Sequence, residues 1–143
     1  MKASDRGLSL LLEQVVRLVY DRPGPTDLHP VQWAALRYYG RAGRLTRTVA
    51  GLARYLGITR GPASRTTSRL VKRDYLATEV NENDRRAPVV SLTEKGRRAL
   101  GEDPILRLAE AISALKEDRK STFANGLEEI YDSILAATSL QSD

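Results

Sequence analysis

The chain has no cysteine. Disulfides, thiolate catalysis, cysteine-based zinc sites and cysteine redox sensing are therefore excluded. Its one histidine is His29, so a metal site or a Ser–His pair would have to be built on that residue alone. No apolar run reaches the length of a membrane span. Glu13, Gln14 and Arg17 interrupt the N-terminal apolar stretch early, which argues against a signal peptide and makes a cytoplasmic location the expectation. Acidic residues are missing from one long region: there is none from Leu28 to Arg73. That span carries Arg37, Arg41, Arg44, Arg47, Arg54, Arg60, Arg65, Arg69, Lys72 and Arg73. From Gly101 onward the balance reverses, with Glu102, Asp103, Glu110, Glu117, Asp118, Glu128, Glu129, Asp132 and Asp143 outnumbering Arg107, Lys116, Arg119 and Lys120. A solvated surface of mixed charge scatters both signs. A basic middle beside an acidic end instead fits a polyanionic partner for one part of the chain.

At 143 residues the chain is long enough for one domain with a real core. Residues 48 to 76 organise it. Thr48 suits an N-cap, and Val49, Leu52, Ala53 and Leu56 recur at helical spacing. Gly57 can take the left-handed conformation of a sharp turn, Ile58 plugs that turn, and Thr59 can cap a second helix. Small Ala53, four residues before Gly57, lets the second helix cross closely. This is a helix-turn-helix pattern. On the second helix, Ala63, Thr66, Thr67 and Leu70 share the core side, while Gly61, Ser64, Arg65, Ser68, Arg69 and Lys72 lie on or near the opposite side. Short polar groups and cations on one face can approach a phosphate-lined groove closely. Pro62 is tolerable in the first turn, where amides lack intrahelical partners.

The rest of the chain reads around this motif. Ser4 or Asp5 can cap a first helix running to about Asp21, with Leu8, Leu11, Leu12, Val15, Val16 and Val19 as its apolar stripe and Pro23, Gly24 and Pro25 as its stop. Pro30 suits the first position of a second helix, which makes His29 a cap residue, with Gln32 three places on. Val31, Trp33, Ala34, Ala35, Leu36, Tyr38 and Tyr39 leave that helix apolar almost all round, and Gly40 and Gly43 are expected to end it. Leu45 and Thr46 read as a short strand. Ala77 to Val80 and Val89 to Leu92 read as a hairpin with a polar tip bearing Arg85 and Arg86. A hairpin directly after a recognition helix is a wing. Thr93 caps a further helix. Glu102, Asp103 and Pro104 open another with an acidic first turn, carrying Ile105, Leu108, Ala109, Ile112 and Leu115. The last helix carries Phe123, Leu127, Ile130, Tyr131, Ile134 and Leu135. The fold class is mainly α with a small β-hairpin.

The segments LHPVQWAAL, LARYLGIT, SRTTSRLVKRDYL and NDRRAPVVSLTEKG resemble the MarR (multiple antibiotic resistance regulator) family of bacterial transcription factors, over nearly the whole chain. The resemblance implies one winged helix-turn-helix protein over 1–143. Its DNA-binding part would span 29–98, and N- and C-terminal dimerisation helices would span 1–22 and 104–139. It implies that Arg86 enters the DNA minor groove and that Asp84, two residues earlier, helps to orient it. It also implies a small aromatic or phenolic effector, for which Trp33, Arg37 and Tyr38 offer an apolar wall with one cation; the same aromatics also fit a plain core role. Two departures are visible. Asp74 replaces the usual glycine after the recognition helix, and Pro104 interrupts what is often one long helix.

The resemblance implies a homodimeric repressor on a pseudo-palindromic duplex; the residues agree with the DNA-binding part of this, and neither a cofactor nor enzymatic activity is expected. Arg65 is the candidate for a bidentate guanine contact, and Ser64 and Ser68 can reach bases or phosphates. Arg69 and Lys72 suit phosphate clamps; Thr59, Arg60 and Gly61 stand at the helix start; Arg85 and Arg86 suit the minor groove. The alternative is a non-specific DNA- or RNA-binding winged helix without effector. A hydrolase is disfavoured, since no nucleophile, base and orienting partner can be assembled.

Overall fold

A computed structural model describes residues 3–21 and 27–140; the expected stop at Pro23, Gly24 and Pro25 lies outside them. The elements are α1 (Asp5–Tyr20), α2 (Pro30–Arg41), a 3-10 turn (Arg44–Thr46), α3 (Val49–Leu56), α4 (Arg60–Lys72), β1 (Leu76–Glu79), β2 (Val89–Leu92), α5 (Glu94–Leu100), α6 (Ile105–Ser113) and α7 (Glu117–Ser139). The chain is mostly helical with one antiparallel hairpin, a winged helix-turn-helix. Residues through Pro104 form one compact unit, and those from Ile105 a second.

Capping sets several of these boundaries. Ser4 Oγ accepts the Gly7 amide at 3.1 Å, and Thr93 Oγ1 accepts the Gly96 amide at 3.1 Å. At α2 the His29 amide donates to Gln32 Oε1 at 2.9 Å, so Gln32 reaches back to the cap residue as a capping box requires. In the first unit α2 packs against α3, α4, α5 and β2. Trp33, Leu36 and Tyr39 from α2 meet Leu52 and Ala53, Ala63 and Leu70, and Tyr75, Leu76, Val90 and Ala99 in one core. In the hairpin Leu76 pairs with Leu92 and Glu79 with Val89.

Four local expectations are corrected. Leu45 and Thr46 form a 3-10 turn rather than a strand, because the Thr46 amide and hydroxyl both turn back to the Gly43 carbonyl, at 3.0 and 3.1 Å. Helix α2 runs through Gly40 to Arg41, closed by the Ala42 amide on the Tyr38 carbonyl; Val31 on it is exposed. The first wing strand starts one residue earlier, at Leu76, and leaves Val80 outside the ladder. The first turn of α6 carries no acidic residue, and Asp103 before it is buried against Arg37. Asp74 does adopt the left-handed conformation, at φ 65°. In the second unit, α6 is amphipathic and α7 is a single helix of 23 residues; neither holds a buried residue.

Candidate nucleic-acid interface

The site begins with the turn that aims α4. Thr48 Oγ1 accepts the Gly51 amide at 3.1 Å and starts α3. Gly51 has to be glycine: a Cβ there would lie 2.2 Å from the Thr46 carbonyl oxygen and 2.4 Å from the Tyr38 hydroxyl. Gly57 closes α3 at φ 66°, and the Ile58 amide returns to the Ala53 carbonyl at 3.1 Å. Helix α4 then crosses with Ala63 fully buried. Thr67 Oγ1 bonds the Ala63 carbonyl at 2.9 Å and the Tyr39 hydroxyl at 2.8 Å, which locks α4 onto α2. Burial pushes the Tyr39 phenol up to about 12, against a smaller downward pull from the Thr67 bond and with a small upward push from Tyr38. The phenol therefore stays neutral at neutral pH.

With that side fixed, the opposite side is presented outward. Ala63, Thr66, Thr67 and Leu70 are buried, and Gly61, Ser64, Arg65, Ser68, Arg69 and Lys72 are exposed. Ser64, Arg65, Ser68, Arg69 and Lys72 line one shallow concavity of about 330 Å³. Thr59 holds the cap position of α4 with an extended backbone, but its hydroxyl makes no capping bond. A larger groove of about 620 Å³ runs between α4 and the wing. It brings Arg60, Gly61, Ser64, Ser68 and Lys72 together with Arg86; Asp84 and Arg85 are not on it. Sequence reasoning missed the rest of its lining, Thr48, Val49, Ala50, Thr78 and Pro88 among them. These residues carry no charge, and only the fold gathers them along one groove.

The wing tip is tied locally. The Arg86 amide donates to Asp84 Oδ1 at 3.0 Å, and the Ala87 amide donates to the Asp84 carbonyl at 3.0 Å. Arg86 Nε stands 3.8 Å from the same carboxylate, with its side chain 97% exposed. Solvent screening keeps such a contact weak. The guanidinium stays open to solvent beside it.

The three effector candidates separate. Trp33 is core, 3% exposed. Arg37 is engaged by Asp103 through Nε and Nη2, both at 2.6 Å, and by the Tyr20 hydroxyl at 3.1 Å. Burial alone would lower the Arg37 pKa, but the Asp103 and Tyr20 bonds outweigh it and hold the pKa above its usual value. The Tyr38 hydroxyl bonds the Thr46 carbonyl, and its ring lies 5.2 Å from that of Tyr55. Arg37 and Tyr38 share a hollow of about 280 Å³ with Arg41, Ala42 and Tyr55, and Trp33 is not part of it. Among the described residues no helix is long and apolar enough to cross a membrane, and no group of three or more His, Cys, Asp or Glu residues is placed to hold a metal.

A helix-turn-helix with its second helix exposed, followed by a hairpin whose tip arginine lines the same groove, defines a winged helix protein. Residues 26–87 match the family model described as MarR family. The chain carries a MarR-family winged helix-turn-helix. Its fold is similar to that of FabT from Streptococcus pneumoniae, solved in complex with DNA, at 20% identity and TM-score 0.72 over 91% of this chain and 94% of that one. It is also similar to a MarR transcriptional regulator from Methanosarcina mazei Go1, at 26% identity and TM-score 0.69 over 92% and 96%. A third similar fold is PcaV from Streptomyces coelicolor, solved with its natural ligand, at 21% identity and TM-score 0.70 over 94% and 99%. Among curated proteins, none matches the chain.

Proposed function

We propose that the protein is a sequence-specific double-stranded DNA-binding regulator of transcription that acts without catalysis, as a homodimeric repressor in the cytoplasm. One observation carries the reading: Arg86 of the wing and Arg60, Ser64, Ser68 and Lys72 of α4 line a single groove, at the end of a span without acidic residues. Phosphates lie along the groove walls, while α4 meets base edges in the major groove and Arg86 the minor groove. Arg65, Arg69 and Arg85 flank that track, and Thr59 and Gly61 let the helix start approach it. Asp84 orients Arg86. The dimer is supported by apolar residues left exposed on the helices at both ends, including Leu8, Leu11, Leu12 and Val16 on α1 and Phe123, Ile130, Ile134 and Leu135 on α7. Two copies related by a two-fold axis read half-sites about one helical turn apart, roughly 10 bp.

Selection of bound sequences from a random duplex pool at about 0.15 M salt tests this, since phosphate contacts are partly screened there. A pseudo-palindrome is expected. Equal affinity for all duplexes would favour the alternative, a non-specific DNA- or RNA-binding winged helix. For an effector, the hollow at Arg37, Tyr38, Arg41 and Tyr55 supports a small aromatic acid better than the trio with Trp33, because Trp33 is buried in the core while the hollow sets the Arg41 guanidinium, uncommitted among the described residues, beside the exposed Tyr55 ring. Calorimetry against aromatic acids tests it, and no heat at millimolar concentration removes it.

A further inference from the structure

The cations of the acid-free span divide into two populations. Arg37, Arg44, Arg47 and Arg73 are bonded within the fold, to Asp103, Glu79, the Val90 carbonyl and the Asp27 carbonyl. Arg41, Arg54, Arg60, Arg65, Arg69 and Lys72 make no side-chain hydrogen bond or ion pair among the described residues. Arg47 is the member whose bonds bear on the wing. The Val90 amide donates to the Arg47 carbonyl at 2.8 Å, and Arg47 Nε donates to the Val90 carbonyl at 3.0 Å. Val90 lies opposite Thr78 in the hairpin, and its own N–H and C=O point to the outer edge of β2. That edge would otherwise be open. A guanidinium N–H thus stands where a third strand would place a backbone amide, which is why a 3-10 turn suffices where a strand was expected.

The position of Arg47 gives this bond its consequence. It immediately precedes Thr48, the cap of α3, so it ties the start of the helix-turn-helix directly to the wing. Val90 and Thr48 both line the groove shared by α4 and Arg86. Arg44, from the same turn, pairs with Glu79 on β1, so both strands of the ladder are held toward its tip-side end. Beyond the ladder, the tip makes only local bonds among the described residues, between Asn81, Asn83, Asp84, Arg86 and Ala87. The direction in which the tip as a whole carries Arg86 is therefore set by the ladder, with Asp84 acting only within the tip.

We propose that Arg47, assisted by Arg44, is a positioning residue that sets the angle between wing and recognition helix, and so the reach of Arg86, rather than a contact to DNA itself. The proposal rests on the DNA-binding reading above. A double-substitution cycle separates the two, because positioning through Arg86 predicts non-additivity. Affinity of the full-length protein for its selected duplex is measured by fluorescence anisotropy at several salt concentrations, for Arg47→Ala, Arg86→Ala and the pair. Arg86→Ala is expected to weaken binding about tenfold and to lower the salt slope by about one. Arg47→Ala should weaken binding to a similar extent, yet add less than about twofold in the Arg86→Ala background. Arg47→Lys keeps the charge but loses the planar Nε–H beside the stem, so it should not restore affinity. Hydrogen exchange at the Val90 amide should accelerate in Arg47→Ala while exchange within α4 is unchanged.

If Arg47→Ala costs the same factor with and without Arg86 and removes a further unit of salt slope, Arg47 is a phosphate contact and the proposal fails. Unchanged affinity together with unchanged Val90 exchange also overturns it. If Arg86→Ala has no effect on affinity, the DNA reading of the wing fails, and Val90 exchange still decides whether Arg47 holds the hairpin. Should Arg47→Ala not fold, Arg44→Ala, at an exposed pair, takes its place in the same cycle, with a smaller expected loss that is again absent without Arg86.

Discussion

Two groups of apolar helix residues with similar sequence patterns have opposite fates in this protein. In the winged-helix core, Leu36, Leu52 and Leu70 are 0% exposed. On the terminal helices, Leu8 is 52% exposed and Ile134 is 63% exposed. Each group recurs at helical spacing, so the pattern alone does not separate them. The difference is whether the chain itself covers the stripe. Helix α2 finds four elements around it. The stripes on α1 and α7 keep exposed faces that an apolar partner would have to cover.

The sharpest way to break this comparison is truncation of one member from each group. Leu52→Ala should cost about 2–5 kcal/mol in denaturant unfolding, from lost transfer energy plus the cavity left behind. Ile134→Ala should leave the unfolding of the winged-helix part unchanged and weaken self-association measured by sedimentation. Equal effects of both on unfolding would mean that α7 is as deeply packed as α3. Deleting residues 119–143 should give a monomer or an unfolded chain, and an intact tight dimer after that deletion would contradict the dimer proposal.

The next effect lies at the end of the first compact unit, where Asp103 meets Arg37. Removing one partner leaves a part-buried charge without its counter-ion, so Asp103→Ala should destabilise by roughly 2–4 kcal/mol, and the double variant with Arg37→Met should recover part of that loss. Thermal unfolding of the three proteins decides it. No recovery would show that Asp103 stabilises the unit through other contacts.

A comparable change, read in binding rather than stability, separates recognition helix from wing. Arg65→Ala should cost about 1–3 kcal/mol on the best duplex and relax preference at one base pair of each half-site. Arg86→Ala should weaken binding to many duplexes together. Neither should shift thermal unfolding, since both side chains are exposed. Titration against matched and mismatched duplexes checks this, and a reversed result would exchange the roles of helix and wing.

The smallest effect concerns the buried lock between α2 and α4. The folded-state pKa of Tyr39 is raised from 10.0 to about 12, so its contribution is fully present below pH 10 and is lost as pH rises through the folded value. At about pH 11 the loss should be on the order of 1 kcal/mol. Tyr39→Phe should remove that component of the alkaline decline, as read from unfolding midpoints at pH 9 and 11. An identical decline in both proteins would place the alkaline sensitivity elsewhere.

What the amino-acid sequence determined by itself is local. Caps at Ser4, Thr48 and Thr93, the left-handed turn at Gly57 and the two faces of α4 all follow from a residue and its neighbours within about four positions. The acid-free span was legible from composition, and the Asp84–Arg86 pattern from the family resemblance. What only the tertiary structure decided is which group each side chain meets across long separations. Arg37 and Asp103 are 66 residues apart, and Arg47 and Val90 are 43 apart. No periodicity encodes such pairs, so cations that look alike in the sequence divide between internal ties and an outward face. The same holds for Gly51, whose missing side chain makes room for a carbonyl brought by another turn, and for Trp33, whose burial needs the surrounding core. Helical faces are set by short-range geometry, whereas the partners they meet are set by loop closure and packing of the whole unit.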